Sequence, residues 1–177
     1  FVRQPEQLGL GHAVLCAERA VGNEPFVVLL ADDFLISTGA SVTSDLINSF
    51  NKTGKCQLSV VEVDKENVSK YGIIKPGDDK KSVRGLVEKP DVENAPSCLA
   101  SIGRYALTPE IFDILRYQEP GHGNEIQLAD SINKMALDGK VEGVLFEGER
   151  FDCGSFQGYL KAINTVAKKM FDNETAF

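Results

Sequence analysis

Phe26-Val27-Val28-Leu29-Leu30-Ala31-Asp32-Asp33 is a short apolar run that ends abruptly in two acids. It is too short for most helices and rich in residues that favour strands, as is typical of strands covered on both faces. We therefore predict a central, parallel strand in an α/β sheet. Ligands gather beyond the carboxyl ends of strands in open α/β sheets, so the two acids mark a candidate site.

Helical and extended patterns alternate on both sides of this strand. Apolar spacing and turn residues predict helices over residues 11–21, 45–51, 110–115 and 125–137 and from 155 onward, and strands over 57–63, 72–75, 83–87, 99–107, 141–146 and 150–152. We expect Thr108 to cap the third of these helices and Asn124 with Gln127 to form a capping box at the fourth. The last helix should pack on the sheet through one broad apolar face.

The alternation predicts an α/β fold with a single domain over residues 1–177 and a β-hairpin-like insertion at about residues 71–90. The polar turn Pro76-Gly77-Asp78-Asp79 lies within that hairpin. We find no internal repeat and no linker rich in Pro or Ser that would divide the chain.

Composition excludes several classes of protein. Nineteen Lys and Arg against 26 Asp and Glu give a net charge of −7, so we expect no nucleic-acid partner and no anionic membrane surface. No stretch approaches the roughly 18 apolar residues of a membrane span. Four cysteines lie about 40 or more residues apart, which favours reduced structural thiols and a cytoplasmic location.

A glycine-containing turn over residues 4–13 opens the first helix. Glycine permits close approach of a ligand to the backbone, and a helix N-terminus offers free N–H donors. The same pattern fits an ordinary connection between a strand and a helix, because a bare G-x-G is weak evidence for a site.

Asp32 and Asp33 could hold Mg²⁺, which prefers carboxylate and water oxygens and keeps substrate phosphates in its shell. One acid could instead cap the following turn, and only one of two adjacent residues at a strand end should face a site. A further acid, Asp152, precedes Cys153-Gly154 and the last helix, so carboxylates from two distant strands could share one cation.

A predicted strand ends in Glu88-Lys89-Pro90. Glu88 is a hydrogen-bond acceptor, Lys89 is a cation, and Pro90 ends the strand. A carboxylate can hold sugar hydroxyls while an ammonium group neutralises a phosphate, and a sugar phosphate needs both. A solvated Glu and Lys at a strand end is the alternative.

Together, in order and spacing, these segments resemble the bacterial UTP:glucose-1-phosphate uridylyltransferases, also called UDP-glucose pyrophosphorylases, over nearly the whole chain. The matching segments are Gln4-Pro5, Leu8-Gly9-Leu10-Gly11-His12-Ala13, Leu30-Ala31-Asp32-Asp33, Tyr71-Gly72, Gly85-Leu86-Val87-Glu88-Lys89-Pro90, Gly103-Arg104-Tyr105, Glu125-Ile126-Gln127-Leu128 and Asp152-Cys153-Gly154. The resemblance implies a Rossmann-like nucleotidyltransferase fold with a mixed central sheet.

The resemblance also implies a role for each matching residue. Gln4 and Gly9 would contact the uracil of UTP, and Asp32 and Asp152 would bind Mg²⁺. Four residues would bind the sugar phosphate: Gly72 and Glu88 would hold glucose hydroxyls, Lys89 would face the phosphate, and Gly103 would let the glucosyl ring approach the strand. Lys89 and Asp32 would serve catalysis, in which glucose 1-phosphate attacks the α-phosphorus of UTP to give UDP-glucose and pyrophosphate.

The chain departs from the family pattern in two ways. Cys98 stands where the family usually has Asn, so a polar contact near the sugar would be missing or replaced. The family's amino-terminal phosphate loop and first strands are also absent, so we expect an incomplete fold, an exposed sheet edge and an inactive isolated chain.

Two other functions fit the same residues. One is a related nucleotidyltransferase that uses dTTP or N-acetylglucosamine 1-phosphate, and the other is a non-catalytic module that binds a sugar nucleotide. In each case we expect a homo-oligomer.

Overall fold

The computed structural model describes residues 1–79 and 81–174 and has mixed α/β architecture. Its strands are β1 Phe26–Leu29, β2 Asp33–Ser37, β3 Cys56–Glu62, β4 Gly72–Pro76, β5 Val83–Glu88, β6 Leu99–Leu107, β7 Val141–Leu145 and β8 Gly148–Asp152. Its α-helices are α1 Leu10–Cys16, α2 Glu18–Val21, α3 Val42–Thr53, α4 Glu110–Arg116, α5 Leu128–Leu137 and α6 Phe156–Glu174. Short 3₁₀ helices cover Lys65–Lys70 and His122–Asn124.

The central sheet is organised around β6, its longest strand. The strand order is β5-β4-β6-β3-β7, and β1 shares with β4 the edge of β6 that lies opposite β3. β3 pairs antiparallel with β6 and parallel with β7, so the sheet is mixed, as predicted. The predicted hairpin forms from β4 and β5, and β4 joins it to the main sheet through β6.

The prediction of a central parallel strand at residues 26–31 is wrong for the part of the chain that the structure describes. β1 ends at Leu29 and pairs antiparallel with β6 from Phe26↔Leu107 to Leu29↔Arg104. No other described strand pairs with its second edge, and Leu29 is 54% exposed. An apolar run indicates that both faces of a strand are buried. It does not indicate whether the neighbouring strand runs parallel or antiparallel to it.

The sheet is covered on both faces, as expected for an α/β fold. Helices α1, α4 and α5 pack on one face, where Leu58, Ile111 and Ile132 are fully buried. α3 packs on the other face through Leu46, beside Ile102 of β6. No helix in the two described ranges is long and apolar enough to cross a membrane.

The prediction that the last helix packs on the central sheet through its apolar face is also wrong. α6 contacts β8, which pairs antiparallel with β2 in a separate two-stranded sheet. Ala162 is buried, whereas most large apolar side chains of α6 are exposed; these are Phe156, Tyr159, Leu160, Ile163, Met170 and Phe171. Helical periodicity identifies an apolar face but not what covers it.

Two of the predicted helix caps do not form. α5 begins at Leu128 rather than at residue 125, and Asn124 adopts a left-handed conformation with φ 59°. Residues 125–127 stay extended because Ile126 exchanges backbone hydrogen bonds with Leu8 and Gly11. Thr108 makes no side-chain cap, since its hydroxyl lies 3.6 Å from the Cys56 thiol.

Candidate active site

Asp32 and Asp152 meet beside Gly154. A Cβ atom placed on Gly154 would lie 3.1 Å from Asp152 Oδ1 and 3.3 Å from Asp32 Oδ2, so two carboxylate oxygens border one small space. The backbone joins the two segments, because the Cys153 N–H donates to the Asp32 carbonyl oxygen at 2.7 Å. Both acids are exposed, so a ligand could reach this space from solvent.

Asp33 points the other way, in agreement with the expectation that only one of the two adjacent acids faces a site. It is 5% exposed and accepts a hydrogen bond from the Gly103 N–H at 2.7 Å. A Cβ atom at position 103 would stand 2.7 Å from Asp33 Oδ2 and 2.8 Å from Leu30 Cβ. Asp33 and Leu30 therefore occupy the space into which a side chain at position 103 would point, and the approach of a glucosyl ring to Gly103 stays a prediction.

Arg150 is a site residue that the sequence analysis missed. Its Nε lies 2.5 Å from Asp33 Oδ1, its Nη1 donates to the Tyr71 hydroxyl at 3.1 Å, and its guanidinium lies 5.0 Å from the Tyr71 ring centroid. It links the acidic strand ends to the segment that precedes Gly72. The pairing of β2 with β8 brings Arg150 here, and no local motif signals that pairing.

Gly72, Glu88 and Lys89 lie together at the end of the β4–β5 hairpin. Gly72 pairs with Glu88 in register, and a Cβ on Gly72 would stand 3.1 Å from Glu88 Oε2. The Lys89 N–H donates to the Tyr71 carbonyl oxygen at 3.0 Å, and its Nζ lies 3.8 Å from Glu88 Oε1. An acceptor and a cation thus stand side by side, as the sequence indicated.

Lys89 has a left-handed backbone, with φ 44°. This conformation costs a residue with a side chain on the order of 1–2 kcal/mol, and such strain clusters at functional sites. The side chain is 46% exposed, so its ammonium group is accessible to a ligand.

Tyr105 lies behind this group of charges. Burial raises the pKa of Tyr105 to about 12, and the charges of Glu88 and Asp33 add to the increase. The phenol is therefore a neutral group of the site at ordinary pH.

Gln4 and Gly9 form a second cluster at the start of α1. Gln4 Nε2 donates to the Gly9 carbonyl oxygen at 3.0 Å, and Gly9 adopts φ 101°. A Cβ on Gly9 would lie 2.8 Å from Glu125 Cβ and 2.9 Å from the Ile126 carbonyl oxygen, so only glycine fits. Leu10, the first residue of α1, and Val28 of β1 pack against the same core cluster.

Two observations concern the cysteines. All four are unpaired, which confirms the expectation of free thiols, and burial raises the pKa of Cys56. Cys98 packs against an apolar cluster that contains Val68 and Ile73.

The candidate metal ligands at this site are the two carboxylates of Asp32 and Asp152. No group of three or more His, Cys, Asp or Glu residues that could hold a metal ion occurs within residues 1–79 and 81–174. Two carboxylates suffice for Mg²⁺ where water and substrate phosphates complete the shell, so Asp32 and Asp152 fit such an ion.

A profile of the nucleotidyl transferase family matches residues 1–169. The chain belongs to this family. A crystal structure of UDP-glucose pyrophosphorylase complexed with UDP-glucose superposes on this chain with a TM-score of 0.90 at 43% identity. That alignment covers 95% of this chain and 65% of the other, so the predicted Rossmann-like nucleotidyltransferase fold is confirmed.

Relatives of the same kind occur in several bacteria. A UTP–glucose-1-phosphate uridylyltransferase of Pseudomonas aeruginosa is 44% identical over 97% of this chain and 63% of its own length. One from Streptococcus pyogenes is 48% identical over 91% and 55%. A UTP-bound UDP-glucose pyrophosphorylase from Acinetobacter baumannii superposes with a TM-score of 0.81 at 40% identity, over 93% and 58%. The chain thus spans a little over half to about two thirds of the length of these relatives.

Proposed function

We propose that this chain forms part of an enzyme that transfers the uridylyl group of UTP to glucose 1-phosphate, giving UDP-glucose and pyrophosphate. The observation that carries the proposal is the convergence of Asp32 and Asp152 at Gly154. Arg150 and Tyr71 connect these acidic segments to Glu88 and Lys89. The names of the relatives at 44% and 48% identity support it and favour UTP and glucose over the alternative substrates.

The reaction needs positioning and charge neutralisation rather than a general base. A phosphate oxygen of glucose 1-phosphate forms a bond to the α-phosphorus of UTP, and the bond from that phosphorus to pyrophosphate breaks, with the electron pair leaving on pyrophosphate. Because the nucleophile is already an anion, no proton has to be removed. The obstacle is repulsion between two anions, which a cation in the site lowers.

Each residue has a place in this proposal. Lys89 presents its exposed ammonium to the sugar phosphate, while Glu88, beside Gly72, accepts hydrogen bonds from glucose hydroxyls. Gln4 and Gly9 read the edge of the uracil. Asp32 and Asp152 would hold Mg²⁺, which supplies positive charge to the triphosphate when it is bound.

A cytoplasmic homo-oligomer is the setting we propose. Four unpaired thiols are typical of a reducing compartment, and the exposed apolar side chains of α6 offer area for association. Light scattering of the purified chain would measure the assembly, and a monomer at all concentrations would contradict it.

Calorimetric titration with UDP-glucose, with and without Mg²⁺, tests the function on the chain itself. We expect Mg²⁺ to strengthen binding, and Gly154→Ala to remove most of that gain, because the added Cβ would stand within 3.3 Å of both carboxylates. Gly39→Ala is the matched control, since a Cβ there meets nothing within 4 Å. Absence of UDP-glucose binding, or an equal effect of Mg²⁺ in both variants, would refute the assignment.

Glu88→Gln tests the sugar half separately. We expect affinity for UDP-glucose to fall on the order of 10-fold while affinity for UDP changes little, since charge-assisted hydrogen bonds contribute about 1.5–3 kcal/mol. Equal losses for both ligands would remove Glu88 from the sugar pocket.

A further inference from the structure

The side-chain amide of Gln4 is held from two sides. Nε2 lies 3.0 Å from the Gly9 carbonyl oxygen and 3.1 Å from His12 Nδ1. We propose that His12 is a positioning residue, which orients the Gln4 amide so that its oxygen faces the base and selects uracil over cytosine. This inference rests on the proposed function, in which Gln4 contacts the base.

The carbonyl group of Gly9 fixes which end of the amide faces inward. A carbonyl oxygen can only accept a hydrogen bond, so the Gln4 atom at 3.0 Å must be the NH₂ nitrogen. That nitrogen has a second hydrogen, which needs its own acceptor. His12 Nδ1, at 3.1 Å, is in position to supply it.

The hydrogen bond from Gln4 also determines the tautomer of His12. To accept from Gln4, Nδ1 must be unprotonated, so the neutral ring bears its hydrogen on Nε2. Nε2 lies 3.8 Å from Cys16 Sγ, one turn along α1, and sulfur is a weak acceptor for this N–H. Cys16, His12 and Gln4 therefore form one directed chain of hydrogen bonds.

This chain has a chemical consequence for the base. Both hydrogens of the Gln4 NH₂ group are used inside the protein, so the part of the amide available to a ligand is its oxygen, an acceptor. Uracil and thymine present an N3–H donor on their pairing edge, whereas cytosine presents an unprotonated N3 there. An amide oxygen attracts the first two and repels the third, and a site built for a hydrogen bond rejects analogues that lack the matching group.

Matched substitutions at residue 12 distinguish an effect on the orientation of the Gln4 amide from an effect on the packing of the side chain at position 12. Asn and Leu have nearly the same shape, and Asn can place an acceptor oxygen close to the position of His Nδ1. We therefore compare His12→Asn with His12→Leu in the 177-residue chain. His12→Leu removes the acceptor, and His12→Asn should restore it.

The first measurement needs no ligand. In nitrogen–proton NMR spectra, with the Gln4 amide assigned by Gln4→Glu, we expect both NH₂ protons to exchange slowly with water in the wild type and in His12→Asn. In His12→Leu the exchange should accelerate. Ring nitrogen shifts of His12 should report an unprotonated Nδ1, and an Nδ1–H tautomer would overturn the proposal by itself.

The second measurement is selectivity among UDP-glucose, dTDP-glucose and CDP-glucose by calorimetry. His12→Leu should lower the ratio of affinities for UDP-glucose and CDP-glucose by a factor of roughly 2 to 10, the range that one net hydrogen bond supports. The loss should be shared by dTDP-glucose, which has the same N3–H, and His12→Asn should recover most of it.

The outcomes separate the role of His12 from the proposed function of the chain. If the wild type binds UDP-glucose selectively and His12→Leu keeps that selectivity in full, the role of His12 is wrong while the function stands. If the wild type binds no UDP-glucose, or binds it no better than CDP-glucose, the proposed function itself fails.

Discussion

Asp33 depends on Arg150 for its place in the protein interior. The carboxylate is 5% exposed and the guanidinium 19% exposed, so the pair is shielded from solvent on both sides. Removing one partner of a buried pair leaves an uncompensated charge, whereas removing both can be far less costly. The pair also holds Arg150 against Tyr71, next to the proposed sugar pocket.

Arg150→Met should therefore lower the free energy of unfolding by about 3 kcal/mol, measured by urea denaturation. Arg150→Met combined with Asp33→Asn should recover part of this loss. Arg84→Met is the control, because Arg84 and its partner Asp78 are 58% and 89% exposed and such pairs contribute about 0–1 kcal/mol. If Arg150→Met and Arg84→Met lower the free energy of unfolding equally, the buried Asp33–Arg150 pair is no more important for stability than an exposed ion pair.

The raised pKa of Tyr105 predicts that the free energy of unfolding decreases at alkaline pH. Its folded pKa of about 12 lies above the ordinary value of 10, so the folded state retains the phenol proton longer than the unfolded state. The resulting stabilisation is complete below pH 10 and is lost as the pH rises toward 12. Tyrosinate absorbance and urea unfolding should both show this loss, and Tyr105→Phe should abolish the part of the pH dependence that Tyr105 contributes.

At the scale of elements, the turn between β4 and β5 depends on Asp79. Its Oδ1 accepts hydrogen bonds from the Ser82 hydroxyl at 2.6 Å, the Ser82 N–H at 2.8 Å and the Lys81 N–H at 3.1 Å. The Ser82 hydroxyl is the main cause that lowers the pKa of Asp79 from 3.8 to about 2. The turn connects the two strands that bear Gly72 and Glu88.

Asp79→Ala should increase amide hydrogen exchange severalfold in the β4–β5 ladder and leave α4 and α5 unchanged. In the wild type the stabilisation by Asp79 is present above pH 3.8 and is lost as the pH falls through about 2, because the lowered pKa means that the folded state favours the carboxylate. Asp78→Ala is the control. If the two variants exchange alike, the Asp79 hydrogen bonds do not secure the hairpin.

The junction of β8 and α6 is equally specific. A Cβ on Gly158 would stand 1.8 Å from the Asp152 carbonyl oxygen, and the Gly158 N–H donates to Ser155 Oγ at 3.1 Å. The clash is with backbone, which cannot rotate away. The start of α6 therefore constrains the position of a proposed metal ligand.

Gly158→Ala should lower the free energy of unfolding by about 1–3 kcal/mol, as overpacking does, and weaken Mg²⁺-dependent binding of UDP-glucose. Gly39→Ala, where a Cβ meets no atom within 4 Å, should change neither. Unchanged thermal stability in Gly158→Ala would contradict the close packing of this junction.

At the scale of the whole molecule, α6 exposes apolar area along its length. Phe156 is 76% exposed and Ile163 47% exposed, and a groove beside the helix is lined by Phe34, Cys153 and Ile163, among others. Exposed apolar area of this kind favours association in water.

Ile163→Lys should reduce concentration-dependent association measured by light scattering and change the free energy of unfolding by less than about 0.5 kcal/mol, because the side chain is already about half exposed. Gln157→Lys, which adds the same charge elsewhere on the exposed start of α6, is the control. A large loss of stability in Ile163→Lys would mean that this face is part of the core.

The amino-acid sequence by itself determined much of the element order, the mixed α/β class and the identity of the polar residues at the strand ends. These are local properties: β6 has the predicted bounds because periodicity and turn residues act over a few neighbours. Asp32 and Glu88 stand out for the same reason, since each directly follows an apolar run, and Lys89 is the next residue after Glu88.

Only the tertiary structure decided which of these residues meet. Asp32 reaches Asp152, and Arg150 reaches Asp33 and Tyr71, through pairings between segments more than 70 residues apart, which no spacing rule encodes. The same holds for the antiparallel neighbour of β1 and the exposed face of α6. Strand partners and the cover of a helix depend on the summed burial of the whole chain, whereas a strand or a helix is already favoured by its own few residues.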